Sequence, residues 1–392
     1  MAGNVRGIGK TNKKKIFWII AILLGILLRY LVMLFGYNFD FESYCIVGDI
    51  AGHFRNVYAE TARYNYAPVF FCFQGSFYRL SELFGSNQIL VYRILIVGLL
   101  TATDLGIAFF AKRYSLKAAV IFFLNPVSIL ITGYHNQFDN MAVLAALISI
   151  LYYNEESKIG KKDLGFVLFM SLGLMIKHLL FVFPLFILLK KGLPIAKKAL
   201  YAFAPPIIFL ISFVPFVIGN SDALNGVVNN VFLYRSRNNA PLLSDLFNVF
   251  QIPNTFKFVF FILAMCGLAI FARKLQFDQC VFLYLMGLVV FSSAISNQYL
   301  AIPLVAICVL DTGFLKYLYM VVVSIFIVLN DNGLNVLRYL QQTNSTWVVK
   351  CAETYNARGH WMAVWILLIV MLYVFVWKRY FHKKRIIEKD KE

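Results

Sequence analysis

The chain has 392 residues, of which 60% are hydrophobic and only 14% charged, with a mean hydropathy of +0.72 and a formal net charge of +18. A soluble domain carries roughly a quarter charged residues, so a soluble fold is excluded. Apolar runs of about 20 residues, the length at which a helix crosses a bilayer, recur along the chain and lack the period-two alternation of a transmembrane β-barrel.

The positive surplus sits in short loops and in the two tails, which fits the positive-inside rule and not nucleic-acid binding. Residues 1–15 are basic and place the N-terminus in the cytoplasm. Segment 16–36 then crosses outward with Arg29 near its outer end, and is too long for a cleavable signal peptide. Residues 37–67 form an outer loop. Residues 68–84 are apolar but interrupted by Gln74, Arg79 and Glu82, which predicts a helix lying flat in the outer interface. The first outer region, 37–87, is thus expected to carry interfacial helices.

With 68–84 flat, segment 88–111 runs inward and the basic loop 111–117 falls in the cytoplasm. The later segments 116–131, 139–153, 163–177, 179–189, 199–219, 255–272, 277–295, 300–311, 315–330 and 361–377 alternate across the bilayer. Their basic ends, among them Lys158, Lys190, Lys191, Lys197, Lys198, Arg273 and Lys316, stay on one side. The expected fold class is an all-α polytopic membrane protein, a single domain over 1–392, with about twelve spans and both termini cytoplasmic. Six cysteines show neither C-x-x-C nor paired spacing, so neither a disulfide framework nor a metal site is read from them.

This topology gathers the chemically rich segments on the outer face. Asp40, Glu42 and Asp49 open the first loop, with Arg63 and Tyr66 further along it. His135, Gln137 and Asp139 lie in H-N-Q-F-D-N (135–140), Lys177 and His178 at a span end, Arg235 and Arg237 in a long loop, and Gln298 and Tyr299 in another. Carboxylates at a membrane surface can act as general bases, and neighbouring cations can hold a phosphate. Each also has a plainer reading: His135 capping a helix, Lys177 snorkelling, Arg235 and Arg237 solvated, and Asp104 paired with Arg93 or a neighbouring helix.

The ordered set is D-F-E (40–42), R-Y-N-Y-A-P (63–68), N-P-V-S-I-L-I-T-G-Y-H-N-Q-F-D-N (125–140) and I-K-H (176–178). It resembles the GT-C superfamily of polyprenyl-phosphate-sugar glycosyltransferases, above all the dolichyl-phosphate-glucose glucosyltransferases of N-glycan assembly. R-Y-N-Y-A-P and L-S-E-L-F-G (80–85) also look like the first mannosyltransferase of GPI-anchor synthesis. The match covers 15–190. Y-A-P stands where those families have Y-P-P, and H-N-Q-F-D-N carries an extra acidic residue. The resemblance implies a GT-C fold and inverting transfer of a hexose from a polyprenyl-phosphate donor to a lipid-linked glycan or a cell-surface polysaccharide at the outer or lumenal face. It implies Asp40 as base and Glu42 as orienting carboxylate. Asp49, Arg63, Tyr66, His135, Gln137, Asp139, Lys177, His178, Arg235, Arg237, Gln298 and Tyr299 then contact acceptor or donor, with Lys177, His178, Arg235 and Arg237 as candidate phosphate ligands. No metal and no cofactor is expected, and the partners are the two lipid-linked substrates and membrane lipids. The location is a bacterial plasma membrane, or the endoplasmic reticulum in a eukaryote. The rival reading, a transporter or flippase of a lipid-linked saccharide, predicts mid-membrane ionisable groups and an inverted repeat.

Overall fold

The computed structural model describes residues 5–233, 247, 249–292, 296–310, 312–330 and 357–389. They are mostly helical, and no strand occurs among them. In chain order the helices are α1 (Val5–Met33), α2 (Phe39–Gly52), α3 (Val57–Glu60), α4 (Pro68–Ser81), α5 (Gln88–Lys112), α6 (Leu116–Phe123), α7 (Pro126–Leu130), α8 (Asp139–Tyr152), α9 (Lys161–Ile176), α10 (Pro184–Leu189), α11 (Ile195–Ile211), α12 (Val214–Val217), α13 (Ser221–Gly226), α14 (Lys257–Ala272), α15 (Phe277–Phe291), α16 (Leu304–Val309), α17 (Leu315–Asn330) and α18 (Ala357–Lys389).

Three runs, Asn12–Met33, Pro68–Lys112 and Ile195–Val217, are long and apolar enough to cross a membrane. They become five if two bent pairs each count as one: Leu116–Phe123 with Pro126–His135, at 41°, and Lys161–Ile176 with His178–Leu189, at 115°. Along α1, Leu23, Leu27 and Leu31 recur at helical spacing and are all exposed. An outward apolar stripe of this kind is stable against hydrocarbon, not water.

One expected crossing is therefore broken, and two others form one bent pair. Segment 116–131 breaks at Asn125–Pro126, where proline begins a new helix and Asn125 caps it by accepting the Val127 amide at 2.9 Å. Segments 163–177 and 179–189 were read as two crossings, yet α10 has six residues and a length of about 9 Å, too short for a hydrocarbon core of about 30 Å. The chain from 161 to 189 is a sharply folded pair.

The segment 68–84 divides into α4 and a 3-10 turn, Glu82–Asn87. Gly85 takes φ +52°, ψ −120° there, a conformation that favours glycine, and turns the chain into α5. Helix α4 lies close along α2: a Cβ on Gly75 would come within 2.7 Å of the Ala51 backbone.

Polar groups inside the bundle are paired. Arg29 and Asp104 meet at 2.9 Å with both side chains fully buried. Asp104 also accepts from Ser128, Thr132 and Asn140 at 2.9, 2.6 and 2.6 Å. Of the two partners expected for Asp104, the neighbouring helix is the one found, and Arg93 is elsewhere: it reaches Asn136 Oδ1 at 3.2 Å and the Gly36 carbonyl. Arg29, four residues from the Met33 end of α1, reaches Asp104 directly, whereas Arg93 lies about three turns from Asp104 along α5. Lys190 and Lys197, read as plain basic anchors, are also buried. Lys190 donates to the Leu275 carbonyl at 2.9 Å, and Lys197 pairs with Asp163 at 2.7 Å, joining α11 to α9.

Candidate active site

The site forms where the end of α1, the start of α2 and the turn after α7 converge. Asn38 caps α2, its side chain accepting the Asp40 amide at 3.1 Å. The same side chain faces Asp40 Oδ2 at 3.4 Å and His135 Nδ1 at 3.2 Å. Gln137 donates its amide to Asp40 Oδ2 in a short contact. Asp40 Oδ1 accepts no hydrogen bond among the described residues and Asp40 is partly exposed, so one carboxylate oxygen is held while the other is available.

Residues 133–140 were read as an outer segment, but the structure buries all of them, and residues 131 and 132 with them. Ile131–His135 forms a π-helical turn, and Asn136 closes it in the left-handed conformation at φ 55°. The Asn136 side chain donates to the Thr132 and Gly133 carbonyls at 2.9 and 3.0 Å. These bonds satisfy backbone groups that would otherwise need water, which is what lets a polar segment sit inside. Gly133 permits it to approach α1: a Cβ there would lie 2.5 Å from the Arg29 carbonyl oxygen.

Phe138 links this part to a second one. It stacks on Phe70 at 3.7 Å between ring centroids and meets Tyr66 edge-on at 4.9 Å. Beneath them Lys177 and Asp139 form a buried ion pair at 2.6 Å. The Lys177 ammonium also lies 5.1, 5.0 and 5.8 Å from the rings of Tyr66, Phe138 and Tyr299. Lys177 is therefore neither a snorkelling cation nor an accessible phosphate ligand; the acid 38 residues before it holds it inside. His178, next in sequence, is exposed and stacks on Tyr66 at 6.1 Å. Tyr299 and Gln298 share a half-buried 3-10 turn, Asn297–Ala301.

The remaining expected residues fall in three places. Glu42 is exposed and 3.9 Å from Arg63, whose guanidinium covers the Phe39 ring at 4.0 Å. Asp49 lies nine residues, about 13 Å, along α2 from Asp40 and does not join it. It pairs instead with Arg55 at 2.5 Å and faces His53 at 3.3 Å. Asp49, His53 and Glu82 bring potential ligand atoms within 4.8 Å of one another, but Arg55 and Arg79 already hold the two carboxylates. Arg235 and Arg237 lie outside the described residues.

Two neighbours were missed from the sequence. Asn38 carries a readable signal, since an asparagine directly before an acidic first turn is a helix cap. Phe138 carries none, because one phenylalanine among 39 has nothing to single it out. Tyr44, behind Asp40, is pushed well above the usual phenol range by burial first and then by the charge of Asp40, so it remains neutral.

Comparison with family models, curated proteins and solved structures finds no match for this chain. The functional reading therefore rests on the geometry and on the resemblance carried by the motifs.

Proposed function

We propose that the chain is a polytopic membrane glycosyltransferase of GT-C type, with about twelve spans, moving a hexose with inversion from a polyprenyl-phosphate donor to a lipid-linked or cell-surface glycan. The observation that carries this is the carboxylate of Asp40, fixed through Oδ2 by Gln137 and Asn38 and open at Oδ1. A base so held meets the geometric demand on general catalysis: one oriented oxygen within reach of an acceptor hydroxyl. Asp40 takes the proton of the acceptor hydroxyl while that oxygen attacks the anomeric carbon. The carbon–oxygen bond to the phosphate breaks, and its electron pair leaves on the phosphate. A lipid phosphate departs as an anion, so no general acid is required. Half-buried Tyr66 and exposed His178 supply flat faces near the base, the type of surface against which sugar rings pack. Transfer of radiolabelled hexose from a polyprenyl-phosphate hexose to extracted glycolipid by the purified chain tests the proposal. No transfer with either glucosyl or mannosyl donor would refute it.

The bent helix pairs and the buried Arg29–Asp104 pair favour transport as the second reading. Against it, Asp104 is held by donors from four residues, which describes a lock more than a moving charge.

The orienting role of Gln137 gives an expected result of its own. Gln137→Ala is expected to lower kcat about tenfold with donor KM unchanged, since one hydrogen bond to a charged group contributes about 1.5 kcal/mol. An unaltered kcat would remove Gln137 from the site.

The proposed orientation is tested by labelling. With Cys72→Ser to remove an exposed thiol, a cysteine at exposed Ala62 is expected to react with an impermeant maleimide on intact cells. One at exposed Lys158 is expected to react only after permeabilisation. The reverse pattern would invert the topology and put Asp40 in the cytoplasm.

A further inference from the structure

We infer that Arg63 is the residue that binds the phosphate of the lipid-linked substrate; this rests on the reading of the Asp40 site as one that takes a lipid phosphate. The motif order pointed to Lys177, His178, Arg235 and Arg237. The structure withdraws Lys177, which is buried and committed to Asp139.

Three other described arginines of this region are also committed. Arg55 is taken by Asp49 and Glu60 at 2.5 and 2.7 Å, and Arg79 by Glu82 at 2.6 Å. Arg93 is nearly buried and donates to Asn136 and the Gly36 and Gly133 carbonyls.

Arg63 differs. Its side chain is 34% exposed, and its one charged neighbour among the described residues is Glu42 at 3.9 Å, beyond hydrogen-bond distance. None of its five guanidinium N–H groups donates to a described residue. Stacking at 4.0 Å over Phe39 fixes the plane of the fork without using its donors.

The position suits the chemistry. Phe39 directly precedes Asp40, so the fork lies on the first turn of the helix that presents the base. Arg63 also stands three residues before Tyr66, whose ring faces His178. A glycosyl phosphodiester carries one negative charge, and the departing monoester approaches two. A fork placed on its oxygens interacts more strongly as that charge grows, and only such a difference accelerates the step. Glu42, weakly held, keeps the guanidinium oriented until the phosphate arrives.

The test is equilibrium binding of a short-chain polyprenyl monophosphate to the purified full chain in nanodiscs, with the matching polyprenol, inorganic phosphate and phosphatidylglycerol as competitors. Arg63→Ala is expected to weaken the monophosphate about ten- to a hundredfold, the loss of one charge-assisted fork, and to leave the polyprenol unchanged. Arg63→Lys is expected to recover part of it, since the charge remains and the fork does not. Arg79→Ala, an exposed arginine with its own partner, is expected to bind like wild type.

Equal monophosphate affinity in wild type and Arg63→Ala, or an equal loss in Arg79→Ala, would overturn the assignment. Displacement by inorganic phosphate or by phosphatidylglycerol at the concentration of the polyprenyl compound would overturn the polyprenyl source. Binding needs no turnover, so Arg63-dependent binding without hexose transfer supports this inference while refuting the transferase reading.

Discussion

Asp40→Asn is expected to reduce turnover by about 10²–10⁴-fold while donor binding persists. The substitution keeps the shape of the side chain and its place on the first turn of α2, but replaces an acceptor-only carboxylate with an amide that cannot take a proton. Gln137 and Asn38 already hold Oδ2, so Oδ1 is the oxygen that meets the acceptor. Glu42→Gln is expected to matter less, because Glu42 is exposed and 3.9 Å from its one charged neighbour. The measurement is single-turnover transfer with pre-bound donor, which separates chemistry from binding. Wild-type turnover in Asp40→Asn, together with its loss in Asp139→Asn, would move the base to Asp139 and leave the class of reaction standing.

The largest effect on stability is expected at the Arg29–Asp104 pair. Asp104→Ala leaves a fully buried guanidinium unpaired and removes the acceptor of Ser128, Thr132 and Asn140. Breaking a buried pair by removing one partner costs about 3–5 kcal/mol. Single hydrogen bonds between membrane helices average only about 0.6 kcal/mol, so the charge and not the bond count sets the size of the effect. The combined Arg29→Met and Asp104→Leu variant is expected to be markedly less harmed than either single one, since no charge is left stranded. Unfolding of the reconstituted protein under a steric trap reads these differences. A loss below about 0.5 kcal/mol in Asp104→Ala would mean that water reaches the pair.

Much of this was legible in the sequence, and the limits have physical reasons. The lack of period-two alternation argued against strands, and none occurs among the described residues; the topology put Asp40, His135 and Gln137 on one face, and in the structure Gln137 meets Asp40 while Asn38 joins His135 to it. The burial of 131–140 was not legible, because polar residues read as loop unless their backbone groups are satisfied locally, as Asn136 does here. The break at Pro126 had a signal, whereas the fold-back at Lys177, where an ion pair reaches a residue 38 positions earlier, had none. Asp49 was grouped with Asp40 and Glu42 because all three open the same loop, and seven residues bring a helix from Glu42 back to the same face. Distance along the axis, which a face does not reveal, separates Asp49 from Asp40.

The buried pair also has a consequence for how the chain is made. Arg29 is made before its partner Asp104, which is 75 residues behind it. At about 5–20 residues per second, that interval lasts about 4–15 s. For that time α1 carries a lone arginine four residues from its Met33 end, where the cost stays below the about 2.5–3.5 kcal/mol of a central position. That end of α1 is expected to stay near the headgroups, where Arg29 can snorkel, until α5 supplies Asp104, so that the pair forms only once both helices are made.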